Sequence, residues 1–586
     1  MTDLLRPVPS LSAALAAAFF LAACAQAPAR APAEAATAAA PAKAEARPEQ
    51  ERIEPLPKEE LTGQILYQLL LAEIAGQRGN FALSAAAYLD LARSTRDPRV
   101  ARRAAEIALH GRDLNQALQA ARLWVDIDPE SPQARQMLAG LLVSANRLEE
   151  LQPHAAKLLE QEGDKLGEAL LRLNRLFARS PDKTAVMRIV EQLTLPYVGR
   201  AEAHFARAQA ALNAGAWQHG VAEADKALAL RPDWDMAVLI KAQLQHAEAP
   251  AQALETLRAF LAGHPQAREV RLQHARSLVG ARKYPEARAE FQRLLVDFPG
   301  NAEVIYAVAV LSMQLSDWTT AEENFRKLLA GDFAGIDTAR LNLGQIAEER
   351  KQYDEALRWY GEVAPGEQYL PAQLRIAQVL ARQGQLDAGR RHLQELRQRD
   401  PAQAVPLLLA ESQLLRDAGQ VDEAYKLLAT SLAAQPGQPD LLYEYAMLAE
   451  KLGRFDVMEE NLRRLIQARP ENAHAYNALG YSLAERKLRL TEAEQLIAKA
   501  LELAPNDPFI IDSMGWVLFR KGDHAQALTW LQRAYSIRPD PEIAAHVGEV
   551  LWVLGRHDEA KKTWQEAAKA NPGNAALAEV VRRLAP

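Results

Sequence analysis

The sequence predicts an all-α chain built as a solenoid of repeated helical hairpins, and three observations carry that prediction. Ala253, Ala287, Ala321 and Ala356 fall 34, 34 and 35 residues apart, and Ala493, Ala527 and Ala560 resume the interval at 34 and 33. Gly480, Gly515 and Gly548 precede the second set of alanines by twelve or thirteen residues, and Pro505, Pro539 and Pro572 follow it by twelve. The composition, rich in alanine and leucine with 6% aromatic residues, favours helix over strand. A period near 34 is what a stack of two-helix units leaves in a sequence. Each unit is too small to bury its own apolar face, so the length of 586 residues counts repeats rather than separate domains.

The amino terminus is a different kind of sequence. Arg6 precedes an apolar run from Leu11 to Ala23, too short to span a bilayer and suited to the h-region of a secretory signal. The run closes on Leu21-Ala22-Ala23-Cys24, which resembles the lipobox of bacterial lipoproteins. Cys24 is the only cysteine, so it can join neither an internal disulfide nor a cysteine metal cluster. The resemblance implies removal of a signal peptide at 1–23 and acylation of Cys24. With Ala25 next, where aspartate would imply retention in the inner membrane, it further implies an outer-membrane anchor facing the periplasm. Residues 24–58 are alanine, proline and charge with almost no large apolar side chain, a composition that cannot bury a core and reads as a flexible tether.

From about Glu60 the chain reads as about a dozen units, degenerate over 59–200 and regular over 201–586. Ala117 with Pro129 marks a unit that begins near Pro98, and Leu148 to Val198 is helical without a clear register. The units at 268–301 and 302–335 keep Ala287 with Phe291 and Ala321 with Phe325 but carry Ala275 and Ala309 in place of the glycine. In the clearest unit, Pro508 to Asp540, Phe509 to Phe519 form a first helix and Ala525 to Ile537 a second. Gly522 supplies the turn, and Gly515 faces Ala527 where the helices close together. Ile511, Met514, Leu518, Leu531 and Ala534 fill the seam. At the joint, Pro505 ends one helix, Asp507 caps the next and Pro508 occupies its first turn.

These residues resemble the tetratricopeptide repeat family, most closely at Tyr476-Leu479-Gly480 followed by Ala493, Ala500 and Pro505, and again at Leu341-Gly344-Ala356-Tyr360. The resemblance implies a right-handed superhelical α-solenoid whose first helices line a concave face. Positions outside the seam then point into a groove: Tyr443 and Met447; His474, Asn477 and Tyr481; Phe509, Asp512, Trp516 and Phe519; Glu542, Glu549 and Trp552. Aromatic anchors in a groove are what a partner-binding surface uses. The competing expectation is that Trp516, Phe519 and Trp552 pack against adjacent repeats or a terminal helix. The lysine and asparagine set of repeat domains that clamp a terminal carboxylate is missing.

Chemistry finds little foothold. His204, His264, His274 and His546 have no carboxylate or thiol at metal-site spacing, so no metal or cofactor is expected, and Glu348, Glu349, Glu459 and Glu460 read as solvated helix faces. There is no HExxH, GxSxG or phosphate loop, and the chain reads as no enzyme. A net charge of −6 without a basic block argues against nucleic acid as a partner. Three blocks resemble a proteobacterial family of long tetratricopeptide lipoproteins: Leu66 to Ala75, Tyr88 to Pro98, and Asn477 to Tyr481 with Asp512 to Val517. That resemblance implies an adaptor that brings cell-wall hydrolases to a periplasmic carboxyl-terminal processing protease. The alternative is a structural lipoprotein of an envelope export or assembly machine.

Overall fold

The computed structural model of the chain describes residues 56–57, 59–178 and 180–585. The 1–23 signal segment, Cys24 and nearly all of the 24–58 tether lie outside the described residues. The described chain is an all-α solenoid of thirty-one α-helices, with no strand among the described residues. It divides into two compact units at Leu311 and Ser312, inside one helix.

The first unit carries α1 (Gly63–Gln77), α2 (Phe81–Thr95), α3 (Pro98–His110), α4 (Leu114–Ile127), α5 (Pro132–Ser144), α6 (Leu148–Gln161) and α7 (Leu166–Leu176). It continues with α8 (Lys183–Thr194), α9 (Ala201–Ala214), α10 (Trp217–Leu230), α11 (Asp235–His246), α12 (Pro250–Gly263), α13 (Arg268–Gly280) and α14 (Tyr284–Asp297). The division falls in α15 (Ala302–Gln314). The second unit carries α16 (Trp318–Ala330), α17 (Ile336–Glu349), α18 (Tyr353–Gly361), α19 (Tyr369–Arg382), α20 (Leu386–Arg399), α21 (Ala404–Asp417), α22 (Val421–Ala434) and α23 (Pro439–Lys451). It ends with α24 (Phe455–Ala468), α25 (Ala473–Glu485), α26 (Leu490–Leu503), α27 (Pro508–Lys521), α28 (His524–Ile537), α29 (Pro541–Val553), α30 (His557–Ala570) and α31 (Ala575–Leu584).

The small residues of the repeat are where helices touch. Ala117, Ala253, Ala287, Ala321, Ala356, Ala493, Ala527 and Ala560 are all buried to within 1%. A Cβ on Gly515 would lie 2.6 Å from Leu531 Cγ and 3.0 Å from the Ala527 carbonyl oxygen. Gly480 meets Ile497 and the Ala493 carbonyl in the same way, Gly344 lies on the Tyr360 ring and Gly548 on the Trp564 indole. The core is therefore a run of seams, and in the second unit one apolar cluster extends from Leu408 to Leu577.

Local chemistry sets the helix ends. The Asp507 carboxylate accepts from the Phe509 and Ile510 amides at the start of α27, with Pro508 in the first turn, and Gly522 closes that helix at φ 96°. Asp113, Asp182, Asn472, Asp523, Asp540 and Asn574 cap other helices through their side chains. Between Leu148 and Val198 the spacing breaks down. Pro153 sits inside α6, a 3-10 turn at Gly163–Lys165 precedes the short α7, and a second at Leu195–Tyr197 follows α8.

Candidate functional site

Counting from the first residue of each first helix, the fourth and eighth positions beyond it share one face. On α23 these are Tyr443 and Met447, on α25 Asn477 and Tyr481, on α27 Asp512 and Trp516, and on α29 Ala545 and Glu549. Helix α25 packs on α27 and α27 on α29, so the pairs follow one another as rungs.

The rungs differ in kind. At the α23 and α25 end, Tyr443, Met447, Asn477 and Tyr481 are only partly buried. The Asn477 Oδ1 atom is enclosed and has no hydrogen-bond donor among the described residues. Burial, with Glu444 and Glu450 nearby, pushes the Tyr443 phenol up to about 12. Burial raises the Tyr481 phenol well above its ordinary value, with Asp512, Glu485, Glu542 and Glu450 adding to it. Both hydroxyls stay neutral donors. Burial also raises the Glu450 carboxyl. His474 is exposed on a cleft of about 490 Å³ between the starts of α23 and α25, shared with Gln438, Asp440, Arg469 and Glu471.

At the α27 and α29 end the rungs are filled from within. Asp512 is 7% exposed and Trp516 3%. His546 Nδ1 lies 2.9 and 3.0 Å from the two Asp512 oxygens, and its ring stacks on Trp516 with centroids 4.1 Å apart. The Trp516 indole N–H donates to Glu485 at 2.6 Å; Arg520 donates to both Glu485 oxygens at 3.0 Å and lies over the same indole. Glu549 is buried against Arg583 at 2.6 Å. Burial works against the charge on His546, but Asp512, Glu485 and Glu549 outweigh it and raise its pKa. Burial opposes ionisation of Glu485 too, and Arg520 with the Trp516 N–H still hold its carboxyl below the usual range.

This corrects the expectation of an open groove at Asp512 and Trp516, because the His546 imidazole from the next hairpin occupies the space. Phe519 lies against Trp516 at 5.2 Å and His524 at 5.3 Å, Phe509 lies under Arg538, and Trp552 stacks on His557 at 4.2 Å. All three remain partly exposed. Glu348 is corrected as well. It is buried, accepting from the Tyr360 hydroxyl and from Arg382 at 2.8 Å. Sequence reasoning missed these pairs, although Asp512 and His546, Glu549 and Arg583, and Glu348 and Arg382 each stand 34 residues apart. The repeat interval was itself the signal.

His204 is buried between Glu223 at 2.7 Å and the Val198 carbonyl at 2.9 Å, a structural arrangement. Among the described residues, no group of three His, Cys, Asp or Glu side chains is placed to hold a metal. No described helix is long and apolar enough to cross a membrane.

The sequence pattern of the tetratricopeptide repeat matches residues 69–132, 238–302, 272–332, 306–368, 409–457 and 446–508, and related patterns of that repeat match 371–402 and 512–541. The chain is 34% identical over 505 residues to TPR repeat-containing protein PA4667 of Pseudomonas aeruginosa, across 86% of this chain and 85% of that one. It is 26% identical over 290 residues to cellulose synthase operon protein C of Pseudomonas fluorescens, across 46% of this chain but 22% of the relative. Among solved structures it is similar to Naa15/Naa10 bound to HypK-THB, at 15% identity, 71% and 70% coverage and a TM-score of 0.36. With the repeat pattern recurring through both units and one relative aligned over most of its length, the chain belongs to the tetratricopeptide repeat family.

Proposed function

We propose that this chain is a non-catalytic scaffold that holds partner proteins on the first helices of its second unit, at Tyr443, Met447, Asn477 and Tyr481. The observation that carries the reading is the contrast along the ladder. Partly exposed aromatic and polar side chains, one with an enclosed and unpartnered carbonyl oxygen, stand beside rungs locked by ion pairs. Rigid anchors of this kind lose little freedom when a partner docks. Phe509, Phe519, His474 and Trp552 extend the surface.

The finer reading places the scaffold in the periplasm, tied to the outer membrane through acylated Cys24. There it brings cell-wall hydrolases to a carboxyl-terminal processing protease. Tethering two proteins to one solenoid raises their effective concentration without a strong single contact. A second reading, a structural part of an envelope export machine, draws support from the likeness to cellulose synthase operon protein C over 46% of this chain.

Affinity purification of the chain from cell envelopes, followed by mass spectrometry, separates the two. Recovery of a processing protease supports the adaptor, and recovery of polysaccharide-export components supports the machine. The double variant Tyr443→Ala/Tyr481→Ala is expected to lose the partner while keeping its helical content. An unchanged partner set removes the proposed face.

A further inference from the structure

Four carboxylates on first helices of the second unit meet a cation one repeat further on. Glu348 meets Arg382, Glu485 meets Arg520, Asp512 meets His546 and Glu549 meets Arg583, at intervals of 34, 35, 34 and 34 residues. Glu450 on α23 breaks the rule. The same count from it reaches Ala484 and Glu485, a methyl group and a second carboxylate. Arg486 is the described cation that acts on Glu450 most, but its guanidinium is held elsewhere. Its Nε donates to the Ser482 carbonyl at 3.1 Å, and the group lies over the Phe455 ring at 4.3 Å. Glu444, on the same helix, already has Arg416 at 3.2 Å. Burial raises the Glu450 carboxyl and Glu485 adds to it, against the pull of Ser482 and Arg486.

Its position joins Glu450 to the open rungs. Tyr443, Met447 and Glu450 follow the three-and-four spacing of one helix face. After burial itself, Glu450 is one of the carboxylates that raise the phenols of both Tyr443 and Tyr481. The Ser482 side chain is 2% exposed, and its hydroxyl lies beside the Glu450 carboxyl without making a hydrogen bond of normal geometry to any described residue. Asn477, one turn before Tyr481, holds its unpartnered carbonyl oxygen on the same rungs. What these groups lack is donors. Carboxylates and amide carbonyls only accept, tyrosine faces attract positive charge, and lysine and arginine side chains donate without accepting. An anionic segment would meet Asp512, Glu485, Glu542 and Glu450 around Tyr481. A metal ion fits poorly, since no three His, Cys, Asp or Glu side chains are placed to hold one among the described residues. The next rung shows the arrangement filled, with the His546 ring set against Asp512 and Trp516 and 6.3 Å from the Tyr481 ring.

We propose that Glu450 is the docking point for a lysine or arginine side chain of the partner, received between Tyr443 and Tyr481, so that the partner presents a basic segment to these first helices. The partner then supplies the charge that Arg520 and His546 supply to the neighbouring rungs from within the chain. The site belongs to the partner face proposed at Tyr443, Met447, Asn477 and Tyr481 and stands only if that face does.

The test is photo-crosslinking in intact cells from benzoylphenylalanine at position 447 of the full chain, with residue 450 varied. Glu450→Gln should lower the yield of crosslinked partner roughly tenfold and Glu450→Lys should abolish it, while Glu450→Asp keeps most of it. The partner segment recovered by mass spectrometry should carry a lysine or arginine within about one helical turn of the crosslinked residue. A merely structural role for Glu450 is read separately. Hydrogen exchange of α23 and α25 should be unchanged or slower in Glu450→Gln, because that variant removes one of two neighbouring carboxylates and breaks no ion pair. A yield unchanged in Glu450→Gln but lost in Tyr443→Ala/Tyr481→Ala overturns the cationic anchor and leaves the face standing. A yield unchanged in both, or no crosslink from the chain with Glu450 intact, overturns the face as well. A recovered segment without lysine or arginine, or faster exchange in Glu450→Gln, also overturns the anchor.

Discussion

Replacing Gly515 by alanine tests whether the periodic small residues are true points of helix contact. The added Cβ would sit 2.6 Å from Leu531 Cγ, 2.9 Å from its Cδ2 and 3.0 Å from the Ala527 carbonyl oxygen. Cγ is the branch point of Leu531 and the carbonyl belongs to the helix, so neither gives way cheaply. Overpacking of this kind costs up to ~3 kcal/mol. Alanine in place of glycine inside a helix returns ~1 kcal/mol, leaving a net loss of ~2 kcal/mol, or roughly a thirtyfold rise in local opening. The control is Gly140→Ala. Gly140 also lies within a helix, but its Cβ would meet nothing within 4 Å, so the same change there should stabilise by ~0.5–1 kcal/mol. Because a repeat array need not unfold as one unit, the assay is hydrogen exchange resolved by peptide. Exchange should accelerate across Pro508–Ile537 in the first variant and slow across Pro132–Ser144 in the second. Equal protection at both sites, or added protection at Gly515, refutes the contact assignment.

The locked end of the ladder predicts a pH response. His546 has a raised pKa in the folded chain, so its contribution is full below its unfolded value near 6.5 and is lost as pH rises through the folded value. Exchange protection of α27 and α29, corrected for intrinsic rates, should therefore fall between pH 6 and more alkaline solution, and His546→Gln should flatten that response. Glu485 acts in the opposite window, with a stabilisation present above its unfolded pKa and lost as acid titrates its lowered folded value. Trp516→Phe keeps the stack on His546 but removes the N–H bonded to Glu485. It should cost about 1.5–3 kcal/mol, read as lowered protection of α25 and α27, and wild-type protection would show that bond to be idle.

Much of the fold was legible because small residues at a fixed interval have few physical explanations. Ala527 and Gly515 mark a close crossing from residue size alone, and the Asp507-Pro508 pair marks a helix start from its local chemistry. The Leu148–Val198 stretch was opaque because Pro153 and two 3-10 turns break the interval that the rest obeys. The candidate face was legible in register but not in exposure. Position alone placed Trp516 beside Tyr481 in character, yet His546 arrives from the following hairpin to cover one and leaves the other partly open. Glu348 misled for a related reason. Its local sequence is that of a solvated helix face, and its partner Arg382 lies one repeat away. Reading charges against residues 34 positions distant recovers both.

Site-specific photo-crosslinking tests the central claim most directly. Benzoylphenylalanine placed at Tyr443 or Tyr481 lies on the first helices, whereas at Tyr535 it lies on the second helix of a hairpin with similar partial burial. In intact envelopes, positions 443 and 481 should give a discrete crosslinked partner and position 535 none. Crosslinks from 535 alone, or equally from all three, would contradict a scaffold that binds along its first helices.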